Sequence, residues 1–178
     1  MKKRISCFII TLILIIFCSN NIVYGDTQFI DTTPYGPKVE DLKGKEIIKR
    51  NLNDIRKIRG NLLVINISET STKEELEIIY RDLDSYSQQI NGYKRNLEKH
   101  QMEYKDSFAD VFFASEISLI ADCYMISIRT QQNLIRQLLA DNPEAKKLFY
   151  SGYLVPVYYY LTLGDQMAAY IETYFVIT

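Results

Sequence analysis

The chain of 178 residues holds one histidine, His100. That scarcity excludes a multi-histidine metal centre. Any Ser-His-Asp or Cys-His arrangement would have to rest on this single imidazole. His100 sits among Glu98, Lys99 and Gln101, off the nearest apolar stripe, so it is expected on the surface and not as a catalyst. Cysteine is almost as rare, with only Cys7, Cys18 and Cys123. No Gly-rich phosphate loop and no paired-cysteine metal knuckle occurs. Nor is there an excess of positive charge: 21 basic residues face 22 acidic ones. The basic footprint of a nucleic-acid binder is missing. Glycine and proline are absent between Gly92 and Pro143, so the usual helix breakers do not act there.

What is present begins at the N-terminus. Lys2, Lys3 and Arg4 precede an apolar run from Ile5 to Phe17, followed by polar Ser19-Asn20-Asn21 and by Val23-Tyr24-Gly25. This order is that of a secretory signal, with cleavage expected after Gly25. The run is short of the roughly 20 residues that span a bilayer; left uncleaved, it would be a membrane anchor. Phe17 precedes Cys18 where a lipid-attachment site wants a small residue, which argues against lipidation. Export would place the mature chain in a disulfide-permissive compartment. Only Cys123 would remain, and one thiol cannot form an internal bridge. Its neighbours Ile120, Tyr124 and Ile126 mark it as a small buried residue. Loss of Lys2, Lys3 and Arg4 would leave a net charge near −4.

Residues 26–38 carry Pro34, Gly36 and Pro37 without periodicity and read as an extended leader. From there on, apolar positions recur at three- and four-residue steps. Ile48, Leu52, Ile55, Ile58, Leu62 and Ile65 form one helical stripe, with Lys49, Arg50, Arg56, Lys57 and Arg59 on the outer face. Gly60 is a plausible break, at about 1 kcal/mol against Ala, and residues 62–65 could form a short strand. Asn66-Ile67-Ser68 matches a glycosylation acceptor, but the abundance of Ile, Lys and Asn suggests an AT-rich bacterial genome, where it carries no meaning. Thr72 with Glu75, or Ser71 with Glu74, supplies a capping box.

A narrow seam then runs through Leu76, Ile79, Leu83, Tyr86, Ile90, Tyr93, Leu97, Gln101, Tyr104 and Phe108. So thin a stripe needs a partner helix, in this chain or in another. A turn is expected at Lys105-Asp106-Ser107, with Ser107 capping a new helix and Asp110 at its third position. The alternative is one rod from 72 to 140. Past the turn the apolar sector broadens through Ala109, Phe113, Ile117, Ile120, Tyr124, Ile128, Leu134, Ile135 and Leu138, which marks a central helix. Asn142 with Pro143 opens the next helix, and Gly164 in the apolar final segment allows a close approach.

Four polar groups fall on apolar faces. Glu116 and Gln131 lie within the broad sector, and Asp165 and Glu172 share a face seven residues apart. A carboxylate in such a place must be paired, hydrogen-bonded or protonated. Metal-binding bundles use Glu followed by His three residues on, and that motif does not occur. The expectation is therefore buried acids satisfied by Tyr or Arg, or acids simply placed at the surface, with no metal and no cofactor. An enzyme or small-ligand carrier would require Glu116, Asp165 and Glu172 to converge on one pocket. Fourteen tyrosines offer apolar rings with polar tips, which suits interfaces. Tyr86, Tyr93, Tyr104, Tyr158, Tyr159 and Tyr160 are the candidate contact residues.

The expected architecture is all-α: a secretory signal over 1–25, a leader over 26–38, and one antiparallel bundle domain over 39–178. Its helices are expected near 40–66, 72–104, 107–141 and 143–176, the last interrupted near Gly152. The expected role is a non-enzymatic exported module of a bacterial envelope or extracellular space. It would bind a protein partner or itself, and no nucleic acid. The alternative is a membrane-associated protein that uses the apolar segment 153–177, although Asp165 and Glu172 would be costly inside a bilayer.

Overall fold

The computed structural model describes residues 36–63, 67–68 and 70–176. They belong to the unit that runs from Tyr35 to Thr178. The signal, most of the leader, and the possible strand residues Val64 and Ile65 lie outside the described residues.

Four long helices carry the fold, all-α as the periodicity predicts. A single turn of 3-10 helix, Val39–Asp41, precedes α1 (Lys45–Asn61). Then come α2 (Lys73–Glu103), α3 (Phe108–Leu139) and the short α4 (Pro143–Lys147). A π-helical turn, Phe149–Leu154, leads into α5 (Val155–Val176). No strand occurs among the described residues.

Local chemistry sets the boundaries. The Thr72 hydroxyl accepts from the Glu75 amide at 3.2 Å, and the Glu75 carboxylate accepts from the Thr72 amide at 2.8 Å. Two orphan donors are satisfied by this reciprocal box, which settles the choice against Ser71 with Glu74. Ser107 caps α3 by accepting from the Asp110 amide, so the chain turns between Tyr104 and Ser107 and does not run on as a rod. At the far end of α3, Asp141 adopts φ 50°. Its amide donates to the Leu138 carbonyl, and the Asn142 amide donates to that of Gln137. This is the paired bonding of a Schellman stop, with Asp in the place usually given to Gly. Asn142 then caps α4, with Pro143 in its first turn. The interruption expected near Gly152 is the π-helical turn.

Packing follows the width of each apolar face. α3 is the centre: Phe113, Ile117, Ile120, Ile128 and Ile135 are all fully buried, and α1, α2 and α5 pack around it. It is long and apolar enough to cross a membrane, yet that apolar surface is largely covered by the other helices. α2 buries only Leu76, Leu83, Ile90 and Leu97, a single row at steps of seven, together with His100 on the adjacent row. Each Leu or Ile of that row contributes roughly 1.5–3 kcal/mol by leaving water. The partner that this thin seam requires lies within the chain, in α3 and α1. Phe108, placed on the seam by its spacing, is instead 73% exposed. It lies beyond the turn and opens α3, so its position in the α2 count has no spatial meaning.

Long helices consecutive in the chain run antiparallel, whereas α1 lies parallel to α3. The start of α1 meets the end of α2, and its end meets the middle of α2. α5 crosses α3 at Gly164, where a Cβ would lie 2.5 Å from Cε1 and 2.9 Å from Cδ1 of Tyr124. The aromatic ring fills the space that a methyl group would need. Gly164→Ala should therefore lower stability by about 1–3 kcal/mol, despite the better helix propensity of Ala. Urea denaturation followed by circular dichroism checks this: the midpoint falls and the slope is unchanged.

Candidate functional site

Chemistry-bearing groups gather in two places. The first lies where the start of α1, the end of α2 and the start of α3 meet. Asp110 is set at the third position of α3 by the Ser107 cap, and its side chain is sealed from solvent. Its Oδ1 accepts from the Gly44 amide at 2.9 Å and from His100 Nε2 at 2.8 Å. Its Oδ2 accepts from the Lys43 amide at 3.0 Å and from the Ser107 hydroxyl. Four donors thus converge on one carboxylate. Burial raises the carboxyl's pKa, but Ser107, the two backbone amides and His100 outweigh it and hold Asp110 below its ordinary value.

His100 is 2% exposed, contrary to the expectation of a surface residue. The imidazole lies against Gly44, where a Cβ would sit 2.1 Å from its Cε1. Tyr104 packs on it with ring centroids 4.6 Å apart. The signal for its burial was in the sequence. Ile79, Tyr86 and Tyr93 recur at seven-residue steps, and the next step is His100, not Gln101. The constellation holds a Ser, a His and an Asp, but not in a catalytic order. A nucleophilic triad places the imidazole between hydroxyl and carboxylate. Here the carboxylate is central, and both other groups donate to it. The arrangement lacks the order of a nucleophilic triad, and it fastens three chain segments together.

The second place is the flank of α5. Arg59 grips Asp165 through Nε and Nη2, each at 2.8 Å at its shortest, and the Tyr124 hydroxyl donates to the same carboxylate at 2.9 Å. Arg56 pairs with Glu172 one turn earlier on α1. Burial, followed by the bond to Asp165, pushes the Tyr124 phenol up. These acids are paired with Arg and, for Asp165, with Tyr as well, at positions that are only partly buried: 42% of the Asp165 side chain and 30% of that of Glu172 face solvent. Glu116 is also only partly buried, near Tyr174. Of the four candidate buried groups, only Gln131 lies in the interior, at 2%. The charged three do not converge on one pocket. Among the described residues, no group of three His, Cys, Asp or Glu could hold a metal ion.

The candidate contact tyrosines divide. Tyr86 and Tyr93 are partly buried against the core, and Tyr104 is taken up by His100. Tyr160 is partly buried, whereas Tyr158 and Tyr159 stand 61% and 59% exposed. Cys123 is buried; burial, with the adjacent Asp122 charge, pushes its thiol up, which leaves it unreactive. Comparison with protein-family models, with curated proteins and with solved structures gives no match.

Because the folded-state pKa of Asp110 is lowered, its contribution is full above the ordinary carboxylate value of about 4 and is lost as pH falls through the folded-state value. Asp110→Ala should cost about 3–5 kcal/mol at neutral pH, because it strands buried donors. It should also flatten the acid limb of stability against pH. Urea melts between pH 2 and pH 7 measure both effects.

Proposed function

We propose that this chain is an exported bacterial helical-bundle protein of the cell envelope or extracellular space, acting as a non-enzymatic protein-interaction module. The observation that supports this reading is the outer face of α5. Tyr158, Tyr159 and Val155 are each about 60% exposed, and together with Leu154 and Leu163 they line one apolar surface depression. The opposite side of α5 is fixed on α3 through Val157, Leu161, Gly164, Ala168 and Ile171, and its flank is tied to α1 by two ion pairs. The helix is thus held rigidly while its aromatic residues face outward. Rigid, exposed tyrosines bind partners at low cost in conformational entropy, and contiguous exposed apolar residues mark interaction surfaces.

The alternative is a membrane surface as the partner of the same aromatic face. Tyrosine suits headgroup depth, but the ion pairs of Asp165 and Glu172 oppose insertion of the whole helix.

The test is the double variant Tyr158→Ser/Tyr159→Ser. Its stability should stay within about 0.5 kcal/mol of the parent, since both side chains are exposed. Its self-association by sedimentation equilibrium, or its crosslinking to one envelope protein in the source cell, should weaken by about tenfold or more. A parent chain that neither self-associates nor crosslinks to a protein, or a variant that does so unchanged, rejects the module reading. Flotation with anionic vesicles that the variant abolishes selects the membrane alternative.

A further inference from the structure

A cleft of about 330 Å³ opens beyond the C-terminal end of α1, between that end, the first half of α2 and the last third of α3. Its lining is mixed: polar surface predominates, and the apolar part is supplied chiefly by exposed Leu63 and partly buried Ile79, because Leu62 and Leu83 are almost wholly buried. Beside the Asn61 amide, its polar groups include three acceptors. Asp82 presents a carboxylate that no cation pairs, and Tyr86 a phenol oxygen without a hydrogen-bond partner among the described residues. Gln131 is the third. It is 98% buried, and its Nε2 reaches Ser127 Oγ at 3.5 Å, while its Oε1 accepts from no group. That oxygen is not sealed in: among the described residues, the one fully enclosed side-chain atom without a partner is His100 Nδ1. The Gln131 carbonyl therefore opens onto the cleft that it lines. The end of α1 adds the negative pole of a 17-residue helix, which the Arg59 guanidinium partly answers through the Leu62 carbonyl at 3.0 Å. No Lys, Arg or His lines the cleft.

We propose that this cleft binds a primary ammonium group carried on an apolar stem. The charge would sit between Asp82 and the Gln131 oxygen, with the Tyr86 ring alongside, and the stem would lie on Leu63 and Ile79. A divalent metal fits poorly, since hard cations take several oxygen ligands and the site offers one carboxylate. The volume is at the low end for small-molecule sites and suits a stem of four to six carbons. Such an ammonium can belong to a free amine or to a lysine side chain of a partner protein.

The experiment titrates the isotopically labelled full chain with n-pentylammonium, with its neutral isostere 1-pentanol, and with Nα-acetyl-lysine methylamide. Amide chemical shifts provide the readout. Pentylammonium should bind with a Kd on the order of millimolar, as its size allows, and should shift Leu63, Ile79 and the Gln131 side-chain amide. Pentanol should bind about tenfold more weakly. Asp82→Asn, at an exposed position that leaves the fold intact, should weaken pentylammonium by a similar factor and leave pentanol unchanged. Tighter binding of the lysine derivative assigns the site to a partner's lysine, and tighter binding of pentylammonium assigns it to a free amine. Equal affinity for pentanol and pentylammonium, shifts confined to other residues, or an unchanged Kd in Asp82→Asn overturns the proposal.

Discussion

One carboxylate holds the entry of the chain to the body of the bundle. Asp110 accepts from the segment before α1, from the last turn of α2 and from the residue that caps α3. A buried charge is tolerated only when its lone pairs are filled, and here both oxygens are filled twice. Ser107 cannot turn away without unlatching α3 from its own cap. Gly44 cannot take a side chain without displacing His100. His100 cannot leave without baring the carboxylate. The three segments are therefore fixed together, and the angle at which α1 sets off along the α2–α3 hairpin is fixed with them.

The rest of the architecture follows from unequal apolar widths. α3 buries residues over more than half of its circumference, from Cys123 round to Met125, and so accepts three helical neighbours. α2 has one row of buried residues, with His100 beside it, and accepts contact along that narrow strip alone. α5 buries Val157, Leu161, Ala168 and Ile171, with Gly164 admitting the ring of Tyr124. The pairs of Arg59 with Asp165 and Arg56 with Glu172 lie partly in water, where ion pairs contribute modestly. Their effect is on register: two pairs, seven residues apart on α5, define how that helix lies beside α1.

Features written in local chemistry were legible in the sequence. The Thr72–Glu75 box, the Ser107 cap and the Asn142-Pro143 start each depend on residues within four positions of one another. The broad face of α3 and the burial of Cys123 follow from periodicity, and Gly164 stood out as the one gap in an apolar helix. Features that depend on distant segments were harder to read. Asp165 looked buried because its own segment is apolar, but its surroundings are set by Arg59, 106 positions away. Tyr104 looked like a contact residue until the chain brought His100 and Gly44 against it. His100 itself was misplaced by a single choice of step. Following Leu97 with a four-residue step selects Gln101, whereas the seven-residue row selects His100. The polar neighbours of His100 obscured this, because α2 is polar everywhere except on its seam.

The lengths of the helices connect the latch to the cleft. α1 has 17 residues, whereas α2 has 31 and α3 has 32. At 1.5 Å per residue, α1 covers about 25 Å of a hairpin about 47 Å long. Its start is pinned at the closed end of that hairpin by Asp110, so its end must fall partway along, near Leu83 and Gln131. A helix that stops over the middle of two longer ones leaves a step. At that step a cleft opens beside Leu83 and Gln131, although both side chains remain almost wholly buried, and the Leu62 carbonyl just past α1 is taken by the Arg59 guanidinium at 3.0 Å. A deeply buried Gln in the central helix is costly unless something answers its oxygen. The cleft and the polarity of its floor are thus consequences of where α1 is fastened and how soon it ends.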